Sequence, residues 1–433
     1  MIRVDGKNKK TVGFICECNP FHKGHKRLIN EAKKYGDYIV AVMSGNFVQR
    51  GEPAVYDKYK RTSDLIKHGV DLVIELPAQF VMSSAKYFAS AGVNILNSLD
   101  FVDYIIFGSQ IGDIEKLKKI ASVKIDSSFT SSNNANMQLV DEDIVDSIGK
   151  IKCNNKERIG DEEANKIIRK YLREGKTYSY AVGKALGVNL SSNDILAIEY
   201  IRALKEIKSK IEPLTIERKS DLPTASELRE RIKKKITCDS YSEILNYKLL
   251  LAKNLKENVG KSILSDIYLM TSDMENAILN KFSNKGVKKD LSFTERAMSL
   301  KTKNVTLAYI KRLFFNIIFD IRKNDVVLKS GSSKLLHLDE ETRIKKIECI
   351  RVLGFKKKSS DLLKKIKIPM LMSYSIASYK TFVNKYKVKT IKQNKNGEFN
   401  LSPILQKNIF ANDLYYLLSE QRCFESEWQV VGK

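Results

Sequence analysis

The chain has 433 residues, 43% of them hydrophobic, and a formal net charge of +25. It is long enough for two domains with separate cores, and no apolar run approaches the ~18 residues needed to span a bilayer, which argues against a membrane protein. The opening MIRVDGKNKK carries charge but no apolar segment, so no signal peptide is expected and the expected location is the cytoplasm.

The charge is unevenly placed. Only 20 of the 76 Lys and Arg, against 18 of the 51 Asp and Glu, lie in residues 1–150, so that part is near neutral and the remainder strongly basic. Biased codon usage would also enrich Lys, Asn and Ile, but it would spread the excess evenly. The asymmetry points to a polyanionic partner for the later part, nucleic acid above all. The six cysteines, at 16, 18, 153, 238, 349 and 423, form no disulfide framework. A zinc site at Cys16-x-Cys18 would need two more ligands at motif spacing, and none is present, so both thiols are read as packing groups.

Thr11 to Cys16, rich in β-branched and aromatic residues, reads as a strand; Asn19-Pro20 turns the chain, and Lys26 to Tyr35 carries helix formers. Asp37 to Ser44 is a second buried strand, completing a β-α-β unit. Ligands of such sheets bind at strand C-terminal ends, where His22, Gly24 and His25 fall. A glycine-bounded loop, 45–51, leads to a helix over Tyr56 to His68 carrying Lys58, Lys60 and Arg61. Asp71 to Leu76 is a third strand, Ala85 to Leu99 a helix, and Val102 to Phe107 a fourth strand closing on Gly108-Ser109. This alternation predicts a parallel α/β sheet.

Asp126 to Asn136 is polar without apolar period and reads as a surface loop. Helices are expected over Asp161 to Leu186, then from a cap at Ser192-Asn-Asp194 to Ile207. Leu214 to Arg218 is short and β-like, and a further helix opens at Pro223 with Thr224 or Ser226 as its cap. Beyond Arg231 helical segments take over: Ser242 to Asn258, Ile263 to Phe282, Phe293 to Ser299, Thr306 to Lys323, Glu341 to Leu353, Asp361 to Ile368 and Ile409 to Leu418. The basic clusters gather there, at Lys233 to Lys235, Lys288-Lys289, Lys301, Lys303, Lys311-Arg312, Lys345-Lys346 and Lys356 to Lys358.

His22-Lys-Gly-His25 sets two imidazoles three residues apart at a helix start, where unsatisfied backbone amides favour an anionic phosphate. When an α-phosphate is attacked, negative charge grows on its oxygens, and imidazolium donors placed beforehand would stabilise it. Gly24 lets the backbone approach a ligand closely.

These residues resemble the HxGH signature of adenylyltransferases and class I aminoacyl-tRNA synthetases, and Thr224-Ala-Ser-Glu-Leu-Arg229 resembles their later Ser/Thr-rich segment ending in Arg. ECNPFHKGH, SGNFVQRGEPAVYDKYKR, GVDLVIELP, IIFGS, SNDILAIEY, LKTKNVTLAYIKR and IRVLGF, in this order over nearly the whole chain, are similar to the tRNA(Met) cytidine acetate ligase family. The resemblance implies a Rossmann-like α/β nucleotidyltransferase domain over 1–235 and a mostly α-helical, basic tRNA-binding domain over 236–433. It implies ATP and acetate as substrates, Mg²⁺ with the ATP, and elongator tRNA(Met) as acceptor at N4 of its wobble cytidine.

The resemblance also assigns residues. Gly13, Phe14, Ile15, Cys16, Glu17, Cys18, Asn19, Pro20, Phe21, His22, Lys23, Gly24 and His25 would line the ATP, joined by Gly108, Asn193 and Arg218, with His22 and His25 catalytic. Cys18 stands where the family carries Tyr, and Lys23 where it carries Asn; both imidazoles are kept. Ser226 and Arg229 are candidates to face phosphate, Asp57, Lys58 and Arg61 to serve acetate or pyrophosphate, and Gln49 and Arg50 fall beside the substrate. Two other readings compete: an adenylyltransferase acting on a small acceptor, and a non-catalytic RNA-binding protein with an ATP-sensing fold.

Overall fold

The computed structural model describes residues 9–123, 161–174, 176, 178–218, 225–232, 234, 236–283, 291–302, 305–326, 349–371, 392–393, 399–400 and 403–419. The polar tract 126–136, Thr224, the lysines at 233, 235, 288, 289, 303, 345 and 346, and residues 341–348 of an expected helix lie outside the described residues.

Strand β1 (Thr11–Cys16) leads through the His22 turn to α1 (Lys23–Ala32) and β2 (Tyr38–Ser44). The glycine-bounded loop is a hairpin of two short strands, β3 (Phe47–Val48) and β4 (Glu52–Pro53). Then come α2 (Lys58–Lys67), β5 (Leu72–Leu76), α3 (Ala78–Val81), α4 (Ala85–Ser98), β6 (Tyr104–Ser109) and α5 (Ile114–Ala121). Helices α6 (Asp161–Arg173), α7 (Tyr178–Ala185) and α8 (Ser192–Glu206) precede β7 (Glu212–Glu217) and α9 (Ala225–Glu230).

These strands pair in the order β7-β6-β1-β2-β5, all parallel. The chain runs outward from β1 in one direction through β2 and β5, then returns to build β6 and β7 on the other side. The strand order therefore reverses between β1 and β6, and the crevice at their C-terminal ends is the switch point where α/β sheets bind ligands. Helix α4 packs close against β1, with Leu96 over Gly13 and Ile15 over Gly92.

Helices α10 (Ser242–Val259), α11 (Ser272–Ser283), α12 (Phe293–Leu300), α13 (Leu307–Phe319) and α14 (Lys323–Val326) form the helical part. The helix expected from Ile263 starts only at Ser272. A second correction concerns the end of the segment expected as helix over Glu341 to Leu353. Ile350–Phe355 is a strand, β8, antiparallel to β5, and β9 (Met370–Leu371) follows α15 (Asp361–Lys365) beside it, giving seven strands in one sheet. IRVLGF is a short apolar run that suits a buried helix or strand equally, and the open edge of β5 selects the strand. Helix α16 (Pro403–Leu418) closes the described chain.

The core is continuous between the sheet and the helical part. Phe47 of the hairpin is its hub, with ring centroids 4.9 Å from Phe319, 5.2 Å from Phe315, 5.8 Å from Tyr241 and 6.0 Å from Tyr415. Burying such a ring contributes on the order of 1.5–3 kcal/mol, so the hairpin is anchored into the helices. Among the described residues, no helix is long and apolar enough to cross a membrane.

Candidate nucleotide site

His22 is the N-cap of α1, in extended backbone, and its Nδ1 accepts a hydrogen bond from the Gly24 amide at 3.0 Å. His25, one turn on, returns the contact: its Nδ1 accepts from the His22 amide at 3.3 Å. This reciprocal capping box satisfies two orphan amides with two imidazoles. A neutral ring whose Nδ1 accepts must carry its proton on Nε2, so both histidines present N–H donors away from the helix backbone. The ring centroids lie 4.0 Å apart. Gly24 must stay without a side chain, because a Cβ there would stand 2.8 Å from His22 Cε1. Phe21 stacks between His25 and His68, at 5.6 and 4.3 Å.

Burial first, then the charges of Arg218 and Arg229, lower the His22 pKa to about 4. Burial, His22 and Arg218 likewise hold His25 well below the ordinary histidine range. Both rings are therefore neutral at neutral pH in the free protein, a correction to the expected imidazolium donors; desolvation beside cations disfavours the charged form. Between pH 6.5 and about 4 an unfolded chain takes up a proton at position 22 that the folded chain refuses, so this group makes stability fall as pH drops through that window. NMR titration of the His22 Cε1 proton should give a midpoint of about 4 without ligand and a higher one once a polyphosphate is added. A midpoint at the ordinary 6.5 would contradict the packed, cation-flanked ring.

The other predicted residues divide by position. Gly108 ends β6, and the stem of Arg218, just past β7, lies over it: a Cβ at 108 would be 3.2 Å from Arg218 Cγ. Arg218 is exposed and its charge is felt at both histidines. Arg229 of α9 reaches back to donate from Nη1 to the Asn19 carbonyl at 2.8 Å and from Nη2 to Ser226 Oγ at 2.9 Å. Asn19 in turn accepts the Val55 amide at 2.8 Å, and Asn19–Pro20 is a cis peptide. Lys23 is exposed at the helix start, whereas Phe14 and Cys18 are buried in the core and Gly13 lies beneath Leu96. Cys18, past the end of β1 with φ of 48°, is a buried thiol whose pKa desolvation raises.

Asn193 lies half-buried in the first turn of α8. The cap itself is Ser191 rather than Ser192, in a capping box with Asp194. Sequence reasoning overlooked what Asp194 does beyond the helix. Its Oδ1 accepts the amides of Gln110 at 2.8 Å and Ile111 at 3.2 Å, tying the start of α8, where Asn193 sits, to the loop after β6. Burial raises the Asp194 carboxyl, but the hydrogen bonds from Ser191 and the loop outweigh it and hold the group below its ordinary value. The Ser-x-x-Asp spacing was the available signal.

Lys58 and Arg61 are buried and engaged with partners inside the protein. Lys58 Nζ meets both Glu75 oxygens at 3.1 Å, with both side chains wholly buried. The Arg61 guanidinium donates to the carbonyls of Tyr56, Glu17, Ser44 and Gly45, bracing the ends of β1 and β2 from within. Asp57 caps α2 by accepting the Lys60 amide at 2.8 Å. Several basic residues of the later part are also internal fixings: Lys311 pairs with Glu52 at 2.8 Å and Lys356 with Asp71 at 3.7 Å. No group of three or more His, Cys, Asp or Glu able to hold a metal comes together among the described residues.

Paired imidazoles at a helix N-terminus, at the switch point of a parallel sheet and flanked by two guanidiniums, define a nucleotidyltransferase-type site. The HIGH Nucleotidyl Transferase family model matches residues 9–233 and 222–429, and the chain belongs to that family. It is 31% identical to the tRNA(Met) cytidine acetate ligase of Thermoanaerobacter sp. (strain X514), over 94% of each chain. It is 32% identical to that of Caldanaerobacter subterraneus subsp. tengcongensis, over 94% of this chain and 95% of the relative. Within the HIGH family, therefore, the chain belongs to the tRNA(Met) cytidine acetate ligases. Its fold is shared with Thermotoga maritima TmcAL bound with alpha-thio ATP, with a TM-score of 0.69, 24% identity, and coverage of 96% of this chain and 97% of that one.

Proposed function

We propose that this protein is an ATP-dependent ligase that activates acetate as acetyl-adenylate and transfers the acetyl group to N4 of the wobble cytidine of elongator tRNA(Met), in the cytoplasm. The observation that carries the reading is the His22–His25 pair, with both Nε2–H groups available beside Arg218 and Arg229. Family membership supports the choice of acceptor.

In this reading the triphosphate lies at the N-terminus of α1, where the backbone dipole and the two guanidiniums favour negative charge. Gly108 and Asn193 receive the adenosine between β6 and α8. An acetate oxygen attacks the α-phosphorus, the bond to the bridging oxygen breaks, and pyrophosphate leaves. The imidazole N–H donors stabilise the charge that grows on the α-phosphate oxygens without having to reorganise. In the second step the cytidine N4 amine attacks the acetyl carbonyl, AMP leaves with the electron pair of the mixed anhydride, and the amine loses a proton. Mg²⁺ accompanies the ATP as its counter-ion, and no protein ligand is assigned to it. Residues 1–235 carry the nucleotide chemistry and the basic residues 236–433 hold the RNA.

The test supplies labelled acetate, ATP and tRNA without coenzyme A. Label in RNA that requires ATP is the expected result. AMP transfer to a small acceptor without RNA would favour a conventional adenylyltransferase, and binding without turnover a non-catalytic protein. RNA affinity should fall steeply with added salt, because neutralised phosphates release their counterions.

A further inference from the structure

The β3–β4 hairpin touches both halves of the molecule through the backbone of one residue. The Gln49 amide donates to Glu17 Oε1 at 2.5 Å, at the end of β1 beside the nucleotide crevice. The Gln49 carbonyl accepts from Arg312 Nη1 of α13 at 2.9 Å. Arg312 is half-buried, and Lys311 beside it holds Glu52 on the other side of the turn. Gly51 seals the tip: its φ is +73°, and a Cβ would stand 2.6 Å from the Arg312 amide nitrogen. With Phe47 sunk in the aromatic core, the hairpin is fixed at its base, its tip and both sides.

The residue this frame holds out is Arg50. It is exposed, and among the described residues no hydrogen bond or ion pair engages its guanidinium. Its surroundings carry charge of both signs. Its charge reaches Arg229, which burial and Arg50 together pull below the ordinary arginine range, and it reaches the Glu17 carboxyl, which desolvation raises. Exposed Lys234, after α9, is felt at Glu52 of the same hairpin. Arg50 and Arg229 repel one another, Glu17 and Glu52 offset only part of this without a direct ion pair to Arg50, and an anion seated between the two guanidiniums makes their closeness favourable.

We propose that Arg50 is an RNA-phosphate site: its guanidinium takes a backbone phosphate of the substrate strand at the mouth of the nucleotide crevice, so that the neighbouring base enters beside the activated group. This rests on the RNA-ligase reading given above. Attachment of the hairpin to both α13 and Glu17 makes Arg50 a fixed point of registration rather than a loose surface charge.

The test compares wild type, Arg50→Gln, Arg50→Lys and, as a remote control, Lys118→Gln. Affinity for tRNA is measured directly over a range of salt, and KM for ATP in acetate-dependent ATP–pyrophosphate exchange is measured without RNA. Removing one phosphate contact to a single strand should weaken RNA binding about tenfold at low salt and make the log–log salt slope shallower by about 0.7. Lysine should restore most of the slope, since a point charge suffices for a phosphate, and Lys118→Gln should match wild type. An unchanged slope in Arg50→Gln overturns the proposal. So does a raised KM for ATP with unchanged RNA affinity, which would assign Arg50 to the triphosphate. The binding arm needs no acetyl chemistry: a wild type that fails to activate acetate sinks the ligase reading while the RNA slope still judges Arg50.

Discussion

Replacing His22 by Asn should abolish acetyl-adenylate formation and leave the fold and the RNA affinity nearly untouched. His22 does two jobs that this substitution separates. Its Nδ1 caps α1 by accepting the Gly24 amide, and an asparagine oxygen is an equally good N-cap acceptor. Its Nε2–H has no counterpart at the same reach in asparagine, so the donor to the α-phosphate is lost. Removing one preorganised donor of this kind costs on the order of 10²–10³ in rate. Acetate-dependent ATP–pyrophosphate exchange measures that loss, urea unfolding the cap, and a direct RNA titration the other half of the molecule. Exchange within tenfold of wild type would remove His22 from the chemistry. A parallel loss of RNA affinity would deny the division between nucleotide and RNA parts. His25→Ala is a harsher test, because it also strips the His22 amide of its acceptor.

Lys58→Met should unfold the protein far more readily and say nothing about phosphate. Both members of the Lys58–Glu75 pair are wholly buried, and Asn412 of α16 adds a hydrogen bond to Glu75 Oε1 at 3.1 Å. Taking one partner from such a pair leaves an uncompensated charge, at a cost of about 3–5 kcal/mol. Lys58→Met/Glu75→Leu should recover much of that, since a buried ion pair replaced by apolar groups is often close to neutral. Urea midpoints of the two variants against wild type decide it. A stable Lys58→Met protein with a raised KM for ATP would restore Lys58 to the list of ligand groups.

The two predictions concern residues that look alike in the sequence. His22 and Lys58 both stand in polar, distinctive blocks near strand ends, yet one faces the crevice and the other points into the core. The five parallel strands up to β7 and the longer helices between them could be read, though not the β3–β4 hairpin, α3 or α5, because each is a local pattern: the β-branched run of β1, the small apolar face of α4, the acid-bearing start of α8. The paired histidines were legible for the same reason, since a capping box is a contact between residues three apart. Their charge state was not. It depends on Arg218 and Arg229, which enter from β7 and α9 about two hundred residues later.

Strand β8 shows the same limit. The six residues IRVLGF, apolar but for Arg351 and set between lysine-rich segments, carry no periodicity that separates helix from strand, and only the exposed edge of β5 decides. Lys311, Arg312 and Lys356 read as part of a basic surface, but the tertiary structure turns them inward as fixings for the hairpin and for Asp71. By itself the sequence determined the parallel α/β framework, the helix start that holds the two imidazoles, and the excess of positive charge in the later part, all set by near neighbours or by composition. Which cations face solvent and which are buried, and which seven strands share one sheet, only the tertiary structure decided, because charge burial and edge pairing are settled by partners far away in the chain.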